Sequence, residues 1–456
     1  MPQSATSAYE LYRPATSLFD LPLKEWMIYL YLLGSPFYMF ALLSTRDWPG
    51  LWIVGMMFLL FTMQFFHSGL RLWLDSSCTS LLFFLAAYVV GTLLVVLSDH
   101  SMTLLGRSPD ERAITTLIRI FYVVVVYGLF VNFLADADGK TLKRIFTAQI
   151  LIGGVIALFG IAQYITATVF SWGGLIGIEG TNLTFKMGSS FFGLGRTRIF
   201  RSAAIFSEPS AFGFFLVPLF IKVVLSFLEN VFIVNKKFHL ALLGVFVLAI
   251  LFNLSLTAIL SSVILMTVLF STTFGGSRVL LWTIVFAVFA FVVVLLTPVG
   301  GLLVGRFDRI VQLGDVSTLD RLFRVYVGVL AVVQSPFIGV GPGFYAFLYP
   351  IHGGVDRMIL ATPLNIWLSF LTDVGILGII PFLFFLKNVL GRAKKRLGHH
   401  PLVRAYLWST VSFLLLLSTL DIWYLEVFWF DAAMLVVLSN GRFASSSPRR
   451  PEVAFQ

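Results

Sequence analysis

The residues of this 456-residue chain best suited to chemistry are arginines in two polar stretches, about 169–208 and 299–362, that separate apolar runs. Arg196, Arg198 and Arg201 stand in the first, and Arg306, Arg309, Arg321, Arg324 and Arg357 in the second, with Lys186 the one lysine of either. A planar guanidinium presents paired N–H donors that match a phosphate, so arginine in place of lysine points to recognition of a phosphorylated group. Glu208, beside Pro209 at the start of an apolar run, is a carboxylate able to accept a proton or position a hydroxyl; a favourable charge at a helix N-terminus is its plainer use. His352, followed by Gly353 and Gly354, is the candidate base of the second stretch. Neither stretch holds an Asp-x-Asp pair or a His/Asp cluster, so we expect no metal and no cofactor; arginines can neutralise a diphosphate as a cation would. Two basic residues fall inside apolar runs. Lys222 is expected to snorkel to the nearer interface, and Arg119, a turn or two from the outer end of its run, to join the phosphate-binding group.

The elements that position these residues follow from composition. The chain is 58% hydrophobic and 12% charged, with 48 Phe and a mean hydropathy of +0.94, an excess spread along the whole length that only lipid can take up. Open sheet edges are excluded there, and the runs are too long and too uniformly apolar for barrel strands. The expected fold is all-α: one integral membrane domain over 1–456 with about 12 transmembrane helices. Spans are read near 26–44, 51–67, 80–98, 114–134, 146–168, 209–228, 239–255, 257–273, 279–298, 363–387, 405–420 and 424–440. The run 239–273 is split around Leu254–Thr257, where Asn253, Ser255 and Thr257 interrupt it. With the N-terminus inside, lysines and arginines collect in the inner segments, and the short outer loops keep only Arg46, Arg107 and Arg112. That asymmetry predicts both termini in the cytoplasm and both long stretches on the outer face. Residues 1–25 are polar, so the first span is expected to remain as an anchor rather than a cleaved signal. Leu319–Val333 reads as a surface helix capped by Ser317 or Asp320, ahead of a Gly-Pro-Gly turn. The tail, 441–456, reads as disordered. The net charge of +10 comes from short clusters rather than a continuous basic face, which excludes nucleic acid as a partner. Cys78, the lone cysteine, is read as a small buried residue.

Three stretches carry a family likeness. The first is Arg201-Ser-Ala-Ala-Ile-Phe-Ser-Glu-Pro-Ser-Ala-Phe-Gly213. The second runs from Ser317-Thr-Leu-Asp-Arg321 to Ser335-Pro336-Phe-Ile-Gly339-Val-Gly341-Pro-Gly343-Phe344, and the third from Pro363-Leu-Asn365-Ile-Trp-Leu368 to Asp373-Val-Gly375-Ile-Leu-Gly378. In this order the chain resembles the O-antigen polymerase and O-antigen ligase superfamily (Wzy/WaaL type), over roughly residues 200–390. The resemblance implies a GT-C-like, metal-independent glycosyltransferase of the bacterial inner membrane, acting on glycans linked to undecaprenyl pyrophosphate at the periplasmic face. It further implies that Arg201 and Arg321, one from each outer stretch, hold the leaving pyrophosphate, with Glu208 and His352 as catalytic candidates. Arg198, Arg324, Arg119, Asn365, Asp373 and Trp367 then fall to substrate binding. Implied partners are the lipid-linked glycan, membrane lipid and a chain-length regulator. Ligases of this kind carry a histidine before the asparagine where this chain has Leu364, so the polymerase branch is expected ahead of the ligase. A secondary transporter would share the helix count, but would show two similar halves and broken, polar helices at mid-membrane.

Overall fold

The helix starts in the computed structural model follow from their cap residues. Described are residues 23–34, 75–98, 102–135, 137–169, 191–194, 197–206, 209–274, 316–353, 361–397, 401–421 and 426–440, together with Gly55, Phe58 and Leu59. After α1 (Leu23–Gly34), α2 (Ser76–Leu97) begins at Asp75, whose carboxylate accepts from the Ser77 and Cys78 amides. Ser108 caps α3 (Pro109–Leu134) in the same way through Glu111, with proline in the first turn and Asp110 and Glu111 complementing the helix dipole. α4 (Gly139–Val169) follows, then a two-stranded antiparallel hairpin of β1 (Phe191–Leu194) and β2 (Thr197–Phe200) in which Phe191 pairs with Phe200. α5 (Pro209–Leu228) starts on proline, and α6 (Lys236–Asn253) is capped by Asn235.

Among the described residues six helices are long and apolar enough to cross a membrane: Ser76–Leu97, Pro109–Leu134, Gly139–Thr168, Pro209–Leu228, Lys236–Asn253 and Ile366–Arg396. The 22 residues of α2 extend about 33 Å at 1.5 Å each, the thickness of a hydrocarbon core. The helices α7 (Leu256–Phe274), α11 (Pro401–Leu417) and α12 (Glu426–Ser439) are apolar as well. Leu254 adopts φ 49° between α6 and α7, so the long apolar run breaks where its polar residues predict. The protein is thus a helical, polytopic membrane protein; the spans expected near 51–67, apart from three residues, and 279–298, and the tail 441–456, lie outside the described residues.

Ion pairs fix which helix ends share a face. Arg392 near the end of α10 (Ile366–Arg396) pairs with Asp75 at the start of α2. Arg144 of α4 pairs with Glu25 of α1 at 2.8 Å, and Arg404 of α11 with Glu229 just past α5 at 2.7 Å. Lys140, Lys143, Lys236, Lys237, Lys394, Lys395 and Arg396 belong to the same helix ends. This basic face is opposite the far face, where α3 and α5 begin and α2 and α4 end.

α8 (Val316–Gln334) begins ahead of Ser317, so neither Ser317 nor Asp320 caps it. Asp320 instead pairs with Arg324 one turn on, at 2.7 Å. Leu322, Val325, Tyr326, Val329 and Val333 are exposed along one stripe, while Val327 and Ala331 are buried on the other, where α8 packs on α9 (Tyr345–Ile351) and α10. An amphipathic helix of this kind suits a lipid interface.

The interior corrects one expectation. Lys222 does not snorkel: its ammonium is fully buried and 2.6 Å from Asp431 of α12, a helix whose residues are all buried. A cation held at mid-helix by a carboxylate partner has no need of the interface.

α10 is broken rather than continuous. Gly375 takes φ 63°, ψ −166° within it, and the amides freed at Ile376 and Leu377 donate to the carbonyls of Pro336 and Phe337 at 2.9 and 3.0 Å. Val340 donates to Thr372 at 2.8 Å, so the 336–343 loop is wedged into the break. A Cβ on Gly339 would lie 2.6 Å from the Thr372 carbonyl oxygen, and one on Gly375 2.4 Å from the Phe337 backbone; both glycines have positive φ. We expect Gly339→Ala or Gly375→Ala to lower stability by at least ~1–3 kcal/mol from backbone strain alone, read as a lower unfolding temperature in detergent. Unchanged unfolding in both would mean that the loop does not occupy the break.

Candidate functional site at the far face

The half of α10 before the break carries Asp373, 8% exposed. Its Oδ1 accepts from the Gly343 amide at 3.0 Å and its Oδ2 from the Tyr88 hydroxyl at 3.1 Å, which ties α2, the wedge loop and α10 together. Gly343 itself abuts α3: a Cβ there would meet Arg112 Cγ at 2.7 Å and Thr116 Oγ1 at 2.9 Å. Arg112 and Asp421 lie within electrostatic range of Asp373.

Asp421 follows α11 and is half-buried. It sits beside Ser369 and Thr362 and feels Arg119 and Arg112. Burial pushes its carboxyl up to about 6, and the two hydroxyl neighbours and two guanidiniums hold it from rising further. Arg112 and Arg119 are seven residues apart on α3, two turns, and therefore share one stripe of that helix. Arg324 reaches the same region from α8: its Nε pairs with Asp320, its Nη1 donates to the Thr362 carbonyl at 3.4 Å, and its guanidinium lies 5.2 Å from the Tyr349 ring centre. Tyr345 donates to the Arg324 carbonyl at 2.8 Å, and Tyr349 to Asp320. His352 closes the C-terminus of α9, its amide donating to the Leu348 carbonyl.

Asn365 and Trp367 have partners within the protein. The Asn365 carbonyl caps α10 through the Trp367 and Leu368 amides, its amide donates to the Ser418 carbonyl at 2.8 Å, and Trp367 Nε1 donates to Ser418 Oγ at 2.9 Å. Their polar atoms thus fasten α10 to the end of α11. Leu364, just before them, has φ 55°, a strained conformation for leucine.

Arg201 belongs to another part of the same face. It is half-buried after β2, where Ser202 Oγ donates to Gly160 of α4 at 2.7 Å and Ser202 N to Phe252 of α6 at 3.1 Å. Gln163 Oε1 accepts from the Ala203 and Ala204 amides, and Asn253 donates to the carbonyls of Ser202 and Pro209. The segment is pinned between α4, α5 and α6, so Arg201 projects from a rigid base. Arg321 is exposed on α8, which packs on α10. The two arginines therefore hang from different parts of the bundle, linked through α11: its Phe413 contacts Phe214 of α5 at 5.4 Å, and its end holds Asn365 through Ser418. Glu208 and the side chain of Arg198 lie outside the described residues; the Arg198 backbone pairs with Gly193.

Of the residues the sequence singles out, Arg119, Arg324, Asn365, Trp367 and Asp373 converge on one region. Arg112, Ser369, Asp421 and Ser418 complete it and escape a sequence reading, because Arg112 looks like a short-loop charge and Asp421 follows an apolar run without a motif. The spacing of Arg112 from Arg119 was the available signal. Among the described residues no group of three His, Cys, Asp or Glu could hold a metal ion. A groove of about 500 Å³ between α2 and α10, lined by Ser76, Ser80, Phe384 and Asn388, lies toward the basic face, away from this cluster. No family model matches the chain, and no curated protein matches it.

Proposed function

We propose that this chain is a glycan polymerase that joins undecaprenyl-pyrophosphate-linked oligosaccharide repeat units of O-antigen or another exopolysaccharide. The observation that carries the reading is the grouping of arginines, carboxylates and hydroxyls at the far face, with the lysine-rich helix ends opposite. The positive-inside rule supports an outer position for the far face and cytoplasmic termini, and the family resemblance implies that the membrane is a bacterial inner membrane with that face in the periplasm. A sugar hydroxyl of the acceptor unit attacks the anomeric carbon of the donor; the C–O bond to the diphosphate breaks and its electron pair leaves with the diphosphate. Arg201 and Arg321 hold the charge that develops there. Arg119 and Arg324 help to place the donor, and the Trp367 indole offers an apolar face to a sugar ring. A chain-length regulator is a partner such an enzyme would use.

A second reading, a secondary transporter, draws support from the broken α10 and the buried Lys222–Asp431 pair. A third, an O-antigen ligase, shares the motifs, but this chain has Leu364 where such ligases carry a histidine. Deleting the gene in its host and separating the lipopolysaccharide on a gel tests all three. The proposal expects single-repeat caps on lipid A-core. Bare core with accumulated lipid-linked polymer would mean the ligase, and an unchanged surface glycan with lost solute uptake the transporter.

A further inference from the structure

Transfer to a sugar hydroxyl releases a proton, and a leaving group held by arginines does not take it up. A group at the far face must accept it. Glu208 lies outside the described residues, His352 ends the short helix α9 and is not among the groups that act on Asp373 and Asp421, and both Asp373 oxygens accept hydrogen bonds that hold the wedge loop and α2. Arg112, Arg119 and Arg324 cannot serve, because a guanidinium stays protonated. Asp421 is different. It is carried on the short link between α11 and α12 rather than within a helix, is half-buried, and keeps its Oδ1 without a hydrogen-bond partner, with the Ser369 and Thr362 side chains beside it.

We infer that Asp421 is the carboxylate that accepts the acceptor hydroxyl's proton. This rests on the polymerase reading. The acceptor O–H bond breaks with its proton passing to a carboxylate oxygen of Asp421, the freed oxygen bonds to the anomeric carbon, and the anomeric C–O bond breaks toward the diphosphate. Arg112 and Arg119 on one stripe of α3 favour the ionised form of Asp421 against its burial, and the Ser369 and Thr362 side chains stand beside it. Asp373 of α10 lies within electrostatic range with opposite effect, and Arg324 of α8 stands one contact away, on the Thr362 carbonyl. The arrangement sets a base next to fixed cations and shields it from bulk water, as a proton acceptor requires.

The sign of the pH dependence follows. The base works only when ionised, and burial places its carboxyl at about 6, so turnover falls as pH drops through that value and is level above it. The test uses the full-length protein in lipid nanodiscs with purified undecaprenyl-pyrophosphate-linked repeat units, following polymer from pH 5 to 8. Asp421→Asn should lower kcat by ~10²–10⁴-fold with KM within about threefold, as expected when a group acting only in the transition state is removed. It should also abolish the acid limb, and Asp421→Glu should recover part of the rate together with a limb. An Asp421→Asn enzyme that keeps wild-type kcat, or loses rate only through raised KM or loss of folded protein while Asp421→Glu keeps the wild-type limb unshifted, overturns the assignment. If the wild-type protein makes no polymer, the polymerase reading itself fails, a result distinct from an active wild type with an indifferent Asp421.

Discussion

Replacing Arg201 or Arg321 with alanine should lower polymer formation by ~10²–10³-fold while the protein still reaches the membrane in normal amount. The expectation comes from where each side chain is held. Arg201 follows a backbone fastened by Gln163, Ser202 and Asn253, so its loss removes a charge without loosening the segment. Arg321 is exposed on α8, whose buried face is carried by Arg324, Val327 and Ala331, so alanine there costs little stability. Arg321→Ala should leave unfolding in detergent unchanged, and Arg201→Ala should leave the protein folded. Lysine at either position should recover only part of the activity, because an ammonium supplies the charge and not the paired donors. Both losses act on one leaving group, and the double variant should fall well short of the product of the single effects. Full activity in both alanine variants, read as a normal glycan ladder in a complemented deletion strain, would remove the diphosphate clamp from the account.

The largest stability effect is expected at Lys222. Its ammonium donates to Asp431 Oδ1 at 2.6 Å and to Gln149 Oε1 at 2.8 Å and lies 4.4 Å from the Tyr406 ring centre. Asp431 also accepts from Gln149 at 3.0 Å and from Ser409 at 2.5 Å, and both charged side chains are fully buried. Lys222→Met leaves Asp431 as an uncompensated charge in the bundle and should cost ~3–5 kcal/mol. Adding Asp431→Asn removes that charge while keeping one oxygen to accept from Gln149 or Ser409, and should restore most of the loss. Thermal unfolding of the single and double variants in detergent reads both. A Lys222→Met protein as stable as the wild type would mean that the pair does not hold α5 to α12.

How far the sequence reaches depends on the kind of signal. Apolar runs fix α2 to α7 closely, and even the break at Leu254 is legible, because Asn253, Ser255 and Thr257 interrupt the run at the point where the helix turns. The partner of Lys222 is not legible: Asp431 lies 209 residues away on another helix, and no local pattern joins them. The expected caps Ser317 and Asp320 fail because the helix is already formed at Val316 and Asp320 is drawn to Arg324 and Tyr349. Gly339, Gly341 and Gly343 announce a turn, whereas their close fit against α2, α3 and α10 emerges only once those helices are assembled. The candidate site divides in the same way. Arg324, Asp373 and Arg119 stand out by type, and Asp421 gains its meaning from Arg112, Arg119 and Ser369, which two other helices, α3 and α10, bring to it.

The most direct test of the central claim is to incubate the purified full-length protein with undecaprenyl-pyrophosphate-linked repeat units and an excess of metal chelator, and to resolve the products by size. The account predicts a ladder of polymer lengths with release of undecaprenyl pyrophosphate, undiminished by the chelator. A substrate left unpolymerised under these conditions, with the protein folded and embedded in lipid, would contradict it.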